Sequence, residues 1–175
     1  MSIQDKDTPS VFRGRHFEPS IIILCVRWYI TYKLSSRDIC EMMEERGVEV
    51  VHTTILRWVQ RYVPDFEKKW DQFARPVGSS WRVDDTYIKI RGEWKYLYRA
   101  VDKQGLTVDF LLSEHRDINA AKRFFTQAIA KHEAPEKITL DGYEASHQAV
   151  TDLRRTGILP NNTLVRTSKY LNNII

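Results

Sequence analysis

Two adjacent carboxylates, Asp84 and Asp85, stand in the middle of the run Trp81-Arg82-Val83-Asp84-Asp85-Thr86-Tyr87-Ile88-Lys89-Ile90, which is otherwise made of residues enriched in β-strands. Aspartate is depleted from sheets, so something must offset its presence there. Side chains alternate along a strand, which puts Asp84 on one face with Thr86, Ile88 and Ile90 and Asp85 on the other with Val83 and Tyr87. Only one of the two can enter a given site. A further acid, Asp141, follows the short apolar run 137–140 and precedes Gly142. Two carboxylates brought together repel, and a hard divalent cation, Mg2+ or Mn2+, relieves the repulsion by taking their oxygens as ligands. Such a site suits phosphoryl transfer, in which two ions about 4 Å apart activate the attacking oxygen and steady the leaving one. Two plainer readings stay open at this point. Residues 81–90 also fit an edge strand with one solvated and one hydrogen-bonded aspartate, and Asp141-Gly142 also fits a turn or helix cap.

Other acids and histidines give weaker signals. Asp102 reads as turn chemistry and Asp109 as an outward-facing or supporting position. Asp85 is expected to bind Thr86 or a nearby backbone group. His52, His115, His132 and His147 have no metal-ligand spacing, and the chain holds neither a glycine-rich phosphate loop nor a nucleophile elbow.

The elements that would bring Asp84 and Asp141 together follow from periodicity. Residues 81–90, 94–101 and 106–113 read as an antiparallel meander with turns at 91–93 and 102–105. A helix over 119–132, a short buried strand at 137–140, a helix over 143–155 and a strand near 164–166 follow. This order describes an α/β (α+β) mixed sheet covered by helices, that of a ribonuclease H-like domain, with 81–90 central and 137–140 beside it. Asp84 and Asp141 would then converge although 57 positions separate them.

Upstream, Pro19 suits the first turn of a helix running to about residue 33. Ser35-Ser36-Arg37-Asp38 has the form of a capping box for a second helix that stops at Gly47, and His52 or Thr53 can cap a third. Its apolar face holds Ile55, Trp58, Val59 and Tyr62, and its other face Thr53, Thr54, Arg57, Gln60 and Arg61. This reads as a helix-turn-helix module in which Thr53, Thr54 and Arg57 meet base edges and Arg61 a phosphate. The alternative is a plain three-helix bundle with a solvated basic face. Arg13 and Arg15 belong to a short basic arm. The expected partition is an arm at 1–17, a DNA-binding module at 18–63, a helical connector at 64–80 and a catalytic domain at 81–175.

The net charge of +4 and pI near 9.1 accord with a nucleic-acid partner without requiring one. Residues 1–75 carry 12 basic and 11 acidic side chains and residues 76–175 carry 15 and 12, so DNA contacts must come from placed residues. No stretch has the length of a membrane span and the polar N-terminus lacks the pattern of a signal peptide, so a cytoplasmic protein is expected. Cys25 and Cys40 lack CxxC spacing and read as buried thiols.

Several motifs occur in co-linear order: Gly14-Arg15-His16-Phe17, Arg27-Trp28-Tyr29, Glu45-Arg46-Gly47-Val48, Arg57-Trp58-Val59-Gln60-Arg61-Tyr62, Asp84-Asp85-Thr86-Tyr87, Tyr96-Leu97-Tyr98-Arg99-Ala100-Val101-Asp102, Thr107-Val108-Asp109-Phe110 and Lys169-Tyr170-Leu171-Asn172-Asn173-Ile174-Ile175. Together they resemble transposases of the insertion-sequence-six family over nearly the whole chain from Phe12. The resemblance implies an N-terminal helix-turn-helix, a ribonuclease H-like domain with an Asp, Asp, Glu triad, two Mg2+ or Mn2+ ions, double-stranded DNA as partner and homo-oligomers on DNA. By motif Asp84 is similar to the first catalytic carboxylate, with Asp85 where relatives commonly have Glu, and Asp141 to the second. The third follows the Asn-Asn-hydrophobic-hydrophobic motif, so the expectation is a Glu directly after Ile175 on a helix beyond this sequence. A chain ending at Ile175 is accordingly expected to bind element ends without cutting them. A non-catalytic DNA-binding protein or transposition inhibitor is the rival reading.

Overall fold

A computed structural model of the chain describes residues 16–32, 34–70, 76–90 and 92–168. Arg13, Arg15 and the segment 169–175 with its Asn172-Asn173 motif lie outside the described residues. The chain divides into two compact units, Met1–Tyr62 and Val63–Ile175.

The first unit is helical. Helix α1 (Pro19–Thr31) carries proline in its first turn and buries Ile22, Cys25, Val26, Tyr29 and Ile30. Helix α2 (Ser36–Glu44) has the expected capping box: the Ser35 hydroxyl accepts from the Asp38 amide at 3.2 Å, and the Asp38 carboxylate accepts from the Ser35 amide at 2.7 Å. Gly47 then stops the helix with φ of 72°. Helix α3 (His52–Trp70) begins one residue earlier than expected. His52 and Thr53 are already helical, and the Val51 carbonyl accepts from the Thr54 and Ile55 amides, so neither serves as the cap. Within this unit Ile55, Trp58, Val59 and Tyr62 are buried, and Phe17 meets Trp58 edge-on at 5.1 Å. Cys25 and Cys40 are free thiols, and burial pushes that of Cys25 up to about 11.

The second unit is a five-stranded sheet with helices. Its strands are β1 (Ser80–Ile90), β2 (Glu93–Val101), β3 (Thr107–Ser113), β4 (Lys137–Leu140) and β5 (Leu164–Thr167), and its helices α4 (Ile118–His132) and α5 (Glu144–Arg155). The order is β3-β2-β1-β4-β5, with β1 to β3 an antiparallel meander and β4 and β5 parallel to β1. This is the ribonuclease H-like order expected from the sequence, with β1 central. Trp81, Val83, Tyr98, Phe124, Leu140 and Leu153 are among the side chains of one apolar core joining a sheet face to α4 and α5. Ile88, Leu97 and Phe110 are buried on the opposite face. Asp117 caps α4 by accepting from the Ala120 amide at 2.7 Å.

Two acids outside the candidate site are structural. Asp102, as its turn position suggests, accepts from the amides of Gly78, Gln104 and Leu106, each at 2.9 Å, and so ties the start of the sheet unit to the β2–β3 turn. Asp109 does not face outward: its side chain is 1% exposed and accepts from Lys131 at 3.2 Å and Gln127 at 3.0 Å, both on α4. The last turns of α3 also reach this edge, where the Glu67 carboxylate accepts from the Leu112 amide on edge strand β3 at 2.8 Å. Among the described residues no helix is long and apolar enough to cross a membrane.

Candidate active site

The parallel ladder between β1 and β4 pairs Val83 with Leu140, where β4 ends. Asp84 and Asp141 are the next residue along each chain, so both candidate carboxylates lie at the same end of two neighbouring central strands. Asp141 opens the loop into α5. Its Oδ1 accepts from the Tyr143 amide at 3.1 Å, a turn that aspartate favours, and its carbonyl lies 2.9 Å from His147 Nε2. The same ring nitrogen is 3.5 Å from the Thr167 hydroxyl on β5.

Asp84 and Asp85 leave β1 on opposite faces, as strand alternation requires. Asp84 is directly opposite Arg99 on β2, and the Arg99 Nη2 donates to its Oδ2 at 3.3 Å. That pair is largely buried, with side-chain exposures of 12% and 9%. Asp85, on the face covered by α4 and α5, has a side chain only 2% exposed. It does not bind Thr86 or a neighbouring backbone group as expected. Arg116, just ahead of α4, holds it from Nε at 2.6 Å and Nη2 at 3.1 Å. The Arg116 guanidinium also lies 3.7 Å from the centroid of the Tyr143 ring and 4.0 Å from Asp141 Oδ2, while the Tyr143 hydroxyl donates to the Arg116 carbonyl at 2.6 Å.

The electrostatics follow from this arrangement. Burial raises the pKa of Asp141 above the ordinary carboxylate value, and the charges of Asp85 and Asp84 raise it further against the lowering effects of the Tyr143 amide and Arg116. Asp141 therefore senses both carboxylates of β1. Asp85 in turn holds the Arg116 proton more tightly than usual. Tyr98, the cross-strand neighbour of Asp85, is buried with its hydroxyl unpartnered among the described residues, and burial followed by the Asp85 charge raises its pKa. Three carboxylates and two guanidiniums leave the cluster one negative charge in excess. Among the described residues no three His, Cys, Asp or Glu side chains form a metal-binding group. Asp84 and Asp141 supply two hard oxygen donors, which is a partial set for Mg2+ or Mn2+.

The candidate DNA-contacting residues belong to the other unit. Thr53, Arg57 and Arg61 are exposed on α3, whereas Thr54 and Gln60 are half-buried. Sequence reasoning missed Arg99, Arg116 and Tyr143. Arg99 depends on the exact register of the β1–β2 hairpin, which the expected turn at 91–93 sets one residue out, and nothing local to residues 113–118 ties Arg116 to Asp85.

A family model described as a DDE domain matches residues 78–175. The transposase for the insertion sequence-like element IS431mec of Staphylococcus aureus is 40% identical over 164 residues, which is 94% of this chain and 73% of that protein. The chain belongs to the insertion-sequence-six family of DDE transposases. A second transposase of this family from Staphylococcus aureus, that for the element IS257 in transposon Tn4003, is 39% identical over the same shares of the two chains. Among solved structures, the catalytic core domain of HTLV-2 integrase, determined in complex with magnesium, covers 54% of this transposase chain and 61% of its own, at 18% identity and a TM-score of 0.43.

Proposed function

We propose that this transposase chain binds the ends of its mobile element through α3 and carries, in Asp84 and Asp141, two of the carboxylates that hold divalent metal for DNA cleavage and strand transfer. The observation that carries this reading is the β1–β4 register, which supports Asp84 and Asp141 as a converging pair. Their donor chemistry fits a hard cation, and the Asp141 pKa, raised first by burial and then by the charges of Asp85 and Asp84, marks a carboxylate whose ionised form a cation would favour. When bound, the metal supplies charge neutralisation at the phosphate and an activated oxygen nucleophile. Asp141 is kept oriented by the Tyr143 amide and Asp84 by Arg99. In the overall reaction a water oxygen attacks phosphorus and one P–O bond breaks, freeing a 3′ hydroxyl. That hydroxyl then attacks a target phosphodiester, so one P–O bond replaces another and no external energy source is needed.

Double-stranded DNA is the partner, and an oligomer on DNA the working form. Thr53, Thr54 and Arg57 are proposed to read base edges, Gln60 and Arg61 to flank them, and Arg13 and Arg15 to add phosphate contacts. Mn2+ titration followed by water-proton relaxation tests the site without requiring turnover: Asp84→Asn and Asp141→Asn should each weaken binding at least about tenfold. Variants that bind Mn2+ like the parent would sink the assignment. For the DNA face, Arg57→Ala should cost roughly 1–3 kcal/mol and relax base preference, whereas Arg61→Ala should weaken all duplexes alike.

A further inference from the structure

The metal reading makes no use of the buried Asp85 or of Arg116. We propose that Arg116 is a pre-organised anchor for a DNA backbone phosphate beside Asp141, with Asp85 and Tyr143 holding it in place. The inference rests on the reading that DNA is processed at the Asp84 and Asp141 end of the strands. A guanidinium has five N–H donors in a planar fork. Asp85 takes Nε and Nη2 at 2.6 and 3.1 Å, and the Tyr143 ring covers the guanidinium at 3.7 Å. The Tyr143 hydroxyl fixes the backbone at the same residue. Among the described residues the hydrogen bonds of Arg116 run from Nε and Nη2 and none from Nη1, on a side chain one-third exposed. Asp141 feels the Arg116 charge but takes none of its N–H donors, because 4.0 Å from Nη2 is beyond hydrogen-bond length.

A purely structural ion pair would need nothing more than the fork on Asp85. Here one edge of the fork is sealed by a carboxylate whose side chain is 2% exposed, and a second carboxylate, Asp141, lies 4.0 Å from Nη2. Rigid support of this kind removes most of the side-chain entropy that an arginine loses when it binds a phosphate. Asp85 therefore acts as a positioning residue for Arg116.

The test uses the 175-residue chain and a 30-base-pair DNA duplex, with affinity measured across a salt series. Arg116→Ala and Arg116→Gln should each lower the slope of log affinity against log salt by about 0.9, the signature of one lost phosphate contact, on any duplex sequence. Asp85→Asn, which keeps the arginine and loosens its anchor, should weaken DNA binding while leaving the slope closer to that of the parent. Mn2+ binding should be no weaker in the Arg116 variants, since a neighbouring cation has been removed. The proposal is overturned if the salt slope does not change, or if both Arg116 variants lose Mn2+ and DNA together, which is the mark of a structural role. Arg116→Gln keeps a polar planar end and carries the test if the alanine variant does not fold. A parent chain that fails to bind Mn2+ while Arg116→Gln still lowers the salt slope would defeat the metal reading alone.

Discussion

Replacing Asp102 with alanine removes one carboxylate on which three backbone amides converge, each at 2.9 Å. The residue is 1% exposed, and the Gly78 amide it holds is partly buried. A buried donor that loses a charged acceptor costs about 1.5–3 kcal/mol, whereas the Gln104 and Leu106 amides, on exposed residues of a turn, recover water and cost about 0.5–1 kcal/mol each. The expected loss is thus about 2.5–5 kcal/mol. Spread over the unfolding entropy of the Val63–Ile175 unit, at about 2.1 cal/mol/K per residue, this lowers its midpoint by roughly 11–21 °C. Asp102→Asn should fall near 2 kcal/mol, because its oxygen can still serve Gln104 and Leu106 while its NH2 meets the Gly78 N–H. Hydrogen exchange of peptides from residues 80–113 across a urea series measures the loss in this unit. If the alanine variant loses less than about 1 kcal/mol, water replaces the carboxylate and the account of Asp102 as a tie is wrong.

Lys131→Met leaves the Asp109 carboxylate buried without its cation and should cost about 3–5 kcal/mol near neutral pH. Burial already raises the Asp109 pKa, so its ionised form opposes folding above that pKa; the penalty should shrink as pH falls through it, and a penalty constant from pH 7 to pH 4 in urea melts would refute this. Ser35→Ala should destabilise the helical unit by about 1 kcal/mol in thermal melts, with an unchanged melt showing that the capping box is dispensable. Tyr143→Phe should cost about 1 kcal/mol through the bond to the Arg116 carbonyl, and its DNA salt slope should match the parent because Arg116 keeps both Asp85 and the ring.

The meander and the capping of α2 were legible because they rest on local periodicity, capping and turn chemistry, and the β4 insertion beside β1 because the order of elements matches a ribonuclease H-like domain. The pairing of Asp84 with Arg99 was not, and one residue explains why. With a turn at 91–93 Asp84 would pair one position out of register, whereas in the structure only residues 91 and 92 separate the strands, Ile90 pairs with Glu93, and Asp84 meets Arg99. The choice between an outward-facing and a supporting Asp109 stayed open for a related reason. Its burial depends on Lys131 arriving from α4, 22 positions later, and a strand pattern carries no record of what covers it. Arg116 falls in the same class: its partner Asp85 is 31 positions away on another element. That Asp84 and Asp141 stand at the same end of two neighbouring strands, by contrast, follows from topology once β4 is set beside β1.

The same sheet order has a temporal side. The meander of β1 to β3 is complete by Ser113, from contacts close in sequence, whereas β4 reaches β1 across 57 positions and β5 joins only by pairing with β4. A ribosome adding about 5–20 residues per second takes roughly 1.4–5.6 s to pass from residue 113 to residue 141. During that interval the nascent chain carries Asp84 and Asp85 on a formed hairpin with no Asp141 beside them. A nascent chain stalled before β4 thus carries Asp84 and Asp85 without the neighbouring strand that leads into Asp141.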